Sequence, residues 1–223
     1  MKITIIYDNT SFKKNLQADW GFSCLVEEKD SPRILFDTGA NGRILLSNME
    51  KLKIDPLSIE EVFISHLHWD HVGGLSELLK TNPNIKKIYL PSSMGLKNEV
   101  VLKEPIKIHE NIFSTGELEG IEQSMGVITG KGVVLIVGCS HPYMGTILEA
   151  AKKFACPPYF AKQNGRGKIY AIIGGMHGFC EFELFKDMNL ICPTHCTQHK
   201  KELKEIYPEK YLEGGAGRII EIS

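Results

Sequence analysis

Residues 65–71 read Ser-His-Leu-His-Trp-Asp-His and run straight into Val72-Gly73-Gly74. His66 and His68 are two positions apart, so an extended backbone points both imidazoles to one face and sends Leu67 the other way, into the protein. Asp70 and His71 stand where the chain turns into a helix, and their side chains can reach a second point close to the first. Neutral imidazoles and a carboxylate are the donors that zinc or iron accepts, and the two glycines let backbone approach such a site closely. The chemistry this supports is hydrolytic. A metal acidifies a bound water and polarises a carbonyl or phosphoryl oxygen, while Asp70 orients that water and carries its proton onward. A solvated loop would not gather four ligand-type residues in six positions.

Three more histidines stand just beyond apolar strands. They are His141 in Val137-Gly138-Cys139-Ser140-His141, His177 in Ile173-Gly174-Gly175-Met176-His177, and His195 in Cys192-Pro193-Thr194-His195-Cys196. Open α/β layers collect functional groups at such strand ends. Each alone reads as a structural histidine. Beside the 66–71 motif, His141 and His195 become candidate metal ligands. His177 is a candidate ligand, or a group that stabilises charge and protonates a leaving group. His109 and His199 sit in polar surroundings and read as solvated. Cys192 and Cys196 flank His195 but read as core thiols. Trp20 and Trp69 are the aromatic candidates for a pocket wall, with Trp69 favoured because it lies among the ligands.

The elements that must position these residues are legible from patterning. Lys2–Tyr7, Phe22–Glu27 and Arg33–Phe36 are β-rich, and Asp30-Ser31-Pro32 makes a hairpin turn between the last two. Apolar residues at 44, 45, 49 and 52 give Asn41–Leu52 a helical spacing. Strand and helix then alternate: Glu61–Ser65 as strand, Gly74–Lys80 as helix ended by Asn82-Pro83, Lys87–Leu90 as strand. The middle, from about Ile106 to Val137, reads as β, with strands at Ile112–Ser114, Met125–Thr129 and Val133–Val137. Gly145–Phe154 reads as helix, Lys168–Ile173 as strand, Phe179–Met188 as helix, Leu190–Cys192 as strand, Thr197–Ile206 as a polar helix and Arg218–Ile222 as the closing strand. Two β-rich halves, each followed by helices, predict layered sheets with helices outside them.

A length of 223 residues favours one large domain, 1–223, over two small ones, at roughly 150 residues per domain. Hydrophobic residues at 43% allow a buried core. With 26 basic against 27 acidic residues there is no excess of positive charge for a general nucleic-acid binder. No run approaches the roughly 18 apolar residues of a membrane span, and the first strand is too short for a signal peptide. The six cysteines, at 24, 139, 156, 180, 192 and 196, form no C-x2-C pair and read as reduced thiols. The expectation is a cytoplasmic protein with a small-molecule substrate and no nucleic-acid or membrane partner.

The His-x-His-x-Asp-His signature at 66–71, the upstream Leu35-Phe36-Asp37-Thr38-Gly39 and the His141 and His195 segments resemble the metallo-β-lactamase superfamily. Gly21-Phe22-Ser23, Gly138-Cys139-Ser140-His141-Pro142, Gly174-Gly175-x-His177 and His195-Cys196-Thr197 are similar to one branch of it. That branch holds metal-dependent hydrolases and includes the dihydropterin–ribofuranosylaminobenzene-phosphate synthases. The resemblance runs from the first strand to the last. It implies an α/β fold of the four-layer αββα sandwich type, with zinc (one or two ions, iron or manganese being the alternatives) at the sheet edges. It further implies that His66, His68 and a third histidine hold one metal, and that Asp70, His71 and His195 hold the second. Asp37 would support the metal loops by hydrogen bonds; from the bare sequence it reads equally as a turn residue before Thr38-Gly39.

One departure stands out. The superfamily usually bridges its metals with an Asp in a Gly-Asp context, yet no Asp occurs here between Asp70 and Asp187, and Gly138-Cys139 stands in that place. His141 is then either the third ligand of the first metal or a neighbour of the second. A thiol at the end of a buried strand reads as protonated and inert, so the expectation is one firmly and one weakly bound metal. The leading functional expectation is a metal-dependent hydrolase acting on an ester, thioester, lactone or phosphoester. A transferase using a pterin diphosphate is the alternative within the resemblance. A non-catalytic metal or ligand sensor is the alternative outside catalysis.

Overall fold

The computed structural model describes residues 1–155 and 168–222; Cys156, one of the six thiols, lies outside them. In chain order the first elements are β1 (Lys2–Tyr7), β2 (Ser23–Glu27), β3 (Ile34–Phe36), α1 (Gly42–Lys51), β4 (Glu61–Phe63), α2 (Trp69–Val72), α3 (Leu75–Thr81), β5 (Lys87–Leu90) and β6 (Glu99–Val101). There follow β7 (Ile106–Lys107), β8 (Ile112–Ser114), β9 (Met125–Thr129), β10 (Gly132–Val137), α4 (Met144–Ala155), β11 (Ile169–Gly175), β12 (Leu190–Thr194), α5 (Lys200–Ile206) and β13 (Ile219–Glu221). The chain divides into two compact units, residues 1–102 with 214–222, and residues 103–213. Each pairs a mixed sheet with helices, the α/β class the patterning predicts.

The first unit has strand order β13-β1-β2-β3-β4-β5-β6. β13, β1, β2 and β3 pair antiparallel, while β3 through β6 run parallel. The 30–32 turn therefore makes the β2–β3 hairpin as read. α1 connects β3 to β4, and α2 with α3 connect β4 to β5, because parallel neighbours need a crossover. One face of the sheet packs Ile6, Leu25, Leu35, Val62, Ile88 and Leu90 against Leu45 and Met49 of α1 and Leu75 and Leu78 of α3. The alternate residues Cys24, Phe36, Phe63 and Tyr89 are buried too. That two-sided burial explains why these strands read as continuous apolar runs. α1 begins at Asn41, whose Oδ1 accepts from the Arg43 and Ile44 amides at 3.0 and 3.4 Å, satisfying the first turn.

The second unit has strand order β12-β11-β10-β9-β8-β7, antiparallel from β7 to β10 and parallel from β10 to β12. Val133, Leu135 and Val137 of β10 and Ile172 of β11 share a core with Met144, Ile147, Leu148 and Ala151 of α4. Those four helix positions are spaced i, i+3, i+4, i+7, one apolar stripe. The stretch expected as a helix over 179–188 holds only a short 3-10 turn, Phe182–Phe185. Phe182 and Phe185 stand three residues apart, the spacing that a 3-10 turn with three residues per turn aligns, and Phe179 precedes it. Phe179 packs on Phe185 at 4.6 Å and edge-on to Phe182 at 5.9 Å between ring centroids. β6 is a short strand that the patterning misses, and β7 falls at the start of the stretch read as β.

Candidate metal centre

The candidate residues follow the carboxyl ends of parallel strands in both units. Asp37 follows β3, and residues 65–71 follow β4; Cys139 and His141 follow β10, His177 follows β11, and His195 follows β12. Of the named residues, Asp37, Ser140, His177 and His195 have positive φ, between 39° and 59°. Non-glycine residues take that conformation rarely, and it tends to be kept where a site needs a side chain re-aimed.

In the first unit the organiser is Asp37, fully buried. Its Oδ1 accepts from the Ser65 amide at 2.7 Å, and its Oδ2 accepts from Ser65 Oγ at 2.7 Å and from His71 Nδ1 at 2.7 Å. These bonds assign the ring tautomers. His71 donates its Nδ1 proton to the carboxylate, so in the neutral ring Nε2 carries the lone pair. Ser65 has one hydroxyl proton and gives it to Asp37, so Ser65 Oγ accepts from His66 Nδ1 at 2.9 Å, and in the neutral ring His66 likewise carries its lone pair on Nε2. An imidazole fixed through Nδ1 and basic at Nε2 is in the form a divalent ion requires. The rings of His66 and His71 lie 4.1 Å apart and those of His66 and His68 4.5 Å apart. Imidazoles this close repel one another when protonated and fit together when neutral around a cation, so the donor set fits a metal.

His68 and His66 are thus brought together as their spacing predicts. Leu67 is not buried as expected; it is 37% exposed, in the irregular stretch between the end of β4 and α2. Asp70 is buried, with its Oδ2 4.0 Å from His71 Nε2. Trp20 Nε1 donates to the same oxygen at 2.9 Å. Trp20 thus meets Asp70 directly, and both aromatic candidates are exposed, Trp20 at 50% and Trp69 at 64%. A side chain at the outer face of the first turn of α2 points away from the two residues that follow it. Gly73 and Gly74 bring α2 against the 38–40 backbone: a Cβ would lie 2.2 Å from the Ala40 carbonyl oxygen at Gly73 and 2.3 Å from that of Thr38 at Gly74.

In the second unit Glu122 holds the loop after β10. Its Oε1 accepts the amides of Gly138, Cys139 and Ser140 at 2.9, 3.0 and 3.2 Å, and its Oε2 accepts that of His141 at 3.0 Å. Nothing in the spacing of Ile121-Glu122-Gln123-Ser124 marks this residue; a buried acid before a strand is the one available signal. The loops after β11 and β12 are joined to each other and to this one. Ser140 Oγ donates to the Gly175 carbonyl at 2.9 Å, the Met176 amide to Thr197 Oγ1 at 3.0 Å and the Gln198 amide to the His177 carbonyl at 2.8 Å.

Donor atoms of Cys139, His141 and His177 lie within 4.8 Å of one another, and so do those of Cys139, His195 and Cys196. The His141 and His177 rings are 4.6 Å apart. His199 is a surface residue, 3.1 Å from Glu202. Replacing Glu122 with Gln keeps the shape but turns an amide N–H2 toward backbone donors. The expected loss is about 2 kcal/mol, within the roughly 1.5–3 kcal/mol range for hydrogen bonds to charged groups. It is read as a lower urea midpoint; an unchanged midpoint would show that the cradle contributes nothing.

The family model of the metallo-beta-lactamase superfamily matches residues 21–141. The chain is 26% identical, over an alignment of 287 residues, to the 7,8-dihydropterin-6-methyl-4-(beta-D-ribofuranosyl)-aminobenzene-5'-phosphate synthase of Methanocaldococcus jannaschii, covering 97% of this chain and 95% of that protein. Among solved structures it is similar to a metal-dependent hydrolase of the beta-lactamase superfamily, with a TM-score of 0.69, 24% identity and coverage of 100% and 99% of the two chains. It is also similar to the metallo-beta-lactamase fold protein YhfI of Bacillus subtilis, with a TM-score of 0.67, 15% identity and 99% of both chains covered. These likenesses show the metallo-beta-lactamase fold expected of the sequence. With its histidine-rich strand ends and a family match over more than half its length, the chain belongs to the metallo-beta-lactamase superfamily.

Proposed function

We propose that the chain is a metal-dependent hydrolase whose metal ligands are His66, His68, Asp70, His71, His141 and His195. The observation that carries this reading is the Asp37 network, which holds His66 and His71 through their Nδ1 atoms and so fixes the orientation of both rings beside His68. A superfamily that typically binds metals and is largely enzymatic supports it. Zinc suits the imidazole-rich set best, with iron or manganese as substitutes. When bound, such ions supply Lewis acidity and bring the pKa of a water to about 7.

The rest falls to the chain's own residues. Asp70, its Oδ2 held by the Trp20 indole at 2.9 Å, orients the attacking water and takes up its proton. His177, held at a positive φ of 39° beside His141, stabilises the developing charge or protonates the leaving group. The substrate is a small molecule, and phosphorylated ones belong in the first panel tested. Among the described residues no helix is long and apolar enough to cross a membrane.

A second reading is a transferase, favoured by the full-length similarity to the Methanocaldococcus jannaschii synthase. In that reading metal held by the same donors would bind the diphosphate leaving group of a pterin diphosphate while an aryl ribose phosphate displaces it. The two are separated by assaying carboxylic, thio-, lactone and phosphate esters, then a pterin diphosphate with an aryl ribose phosphate, each with and without chelator. Chelator-sensitive hydrolysis in the first panel is the expected result; turnover only in the second favours the transferase. The metal assignment has its own check. The double variant His66→Ala, His68→Ala is expected to lose metal by elemental analysis while keeping its circular dichroism, and full metal content in it would refute ligation at this strand end.

A further inference from the structure

We propose that Cys139 is itself a metal ligand, a thiolate standing where the superfamily usually has its bridging Asp, and that Cys196 is a positioning residue that donates a hydrogen bond to its sulfur. This rests on the metal-dependent reading above and adds to it the identity of the anionic donor. By sequence alone Cys139 reads as an inert core thiol, but its surroundings are not those of a core thiol. Its sulfur is the one donor common to both clusters of the second unit, with His141 and His177 on one side and with His195 and Cys196 on the other, each within 4.8 Å. Two ligands of one zinc ion, bound at about 2.0 and 2.3 Å, cannot be further apart than about 4.3 Å, so a small shift brings imidazole and sulfur onto a shared ion.

The pocket around this sulfur is built. Glu122 fixes the backbone of Cys139 through the amides on both sides of it and its own. Cys196 Sγ donates to Cys139 Sγ at 3.4 Å, and both residues are buried. The room for that contact is made by Gly175, where a Cβ would lie 2.7 Å from Cys196 Sγ and 2.5 Å from the Gly138 carbonyl oxygen. A donor to a ligand sulfur orients it and withdraws charge from it, as partners of metal ligands generally do. On coordination a metal–sulfur bond forms and the Cys139 thiol proton leaves to solvent; Cys196 keeps its proton. A thiolate also supplies the negative charge that two nearby dications need and that the missing Asp would have carried. It selects for zinc, iron or cobalt over manganese and magnesium, which favour oxygen donors.

The test uses the full chain, stripped of metal and reloaded. Zinc-loaded protein is expected to show a sulfur scatterer at about 2.3 Å in X-ray absorption, and cobalt-loaded protein a near-ultraviolet thiolate-to-cobalt charge-transfer band. Cys139→Asp is expected to keep the cobalt and lose the band. Cys196→Ala is expected to keep the band, shifted, with affinity lower by about 10–100-fold. A bound metal with only nitrogen and oxygen neighbours, or a band that survives Cys139→Asp, overturns the proposal while leaving the metal-dependent reading intact. Failure of the wild-type chain to bind zinc or cobalt overturns both, and the wild-type absorption measurement decides even where a variant fails to fold.

Discussion

Replacing Asp70 with Asn is expected to lower turnover by about 10²–10⁴-fold, the range for loss of a positioned acid–base group, far more than it lowers metal at the His66–His68 site. The amide oxygen of Asn can still accept from Trp20 Nε1, and the backbone carbonyl that receives the Phe22 amide is untouched. The local fold therefore has no reason to change. What disappears is the ability to take up a proton and the charge beside His71. His66 and His68, whose ring orientation does not pass through Asp70, keep their metal. Turnover numbers and elemental analysis on the same preparations separate the two effects, and parent-like turnover in Asp70→Asn would remove Asp70 from the mechanism.

Asp37→Asn is expected to cost more in stability than any other conservative change at the site. Asn tolerates the left-handed backbone, so the φ of 52° at this position is not the source of the loss. The loss comes from satisfiability. Asp37 accepts from the Ser65 amide, the Ser65 hydroxyl and His71 Nδ1, with no donor to spare. An amide must aim its N–H2 at one side of that trio, leaving buried donors facing a donor. Breaking one partner out of a buried charged network typically costs about 3–5 kcal/mol. The same change releases the His66 and His71 tautomers, and metal affinity is expected to fall by about 10–100-fold. Urea unfolding of the stripped protein reads the first effect and metal competition reads the second. A stripped variant with the parent's midpoint would mean that the network serves the metal alone.

The sequence by itself determined the elements whose information is local. The spacing of His66 and His68 put two imidazoles together, 4.5 Å apart, because alternation along an extended chain is a property of neighbouring residues. The apolar stripe of α4 and the 30–32 hairpin turn were legible for the same reason. Residues of ligand type beyond apolar strands pointed to the strand ends that the parallel pairings do supply.

What only the tertiary structure decided are contacts between residues far apart in the chain. Asp37 and His71 are separated by a helix and a strand and meet because the parallel pairing of β3 with β4 aligns the ends of those strands. Trp20 meets Asp70 across 50 residues of chain, a contact that the motif around Asp70 does not carry. Glu122 reaches the loop after β10 through the β9–β10 hairpin, and Cys139 meets Cys196 only once the pairing of β10, β11 and β12 brings their ends into line. Periodicity fixes what a residue's neighbours are along the chain; register and crossover fix what it touches across it. That is why the histidine motif could be read directly, and the groups that orient its rings could not.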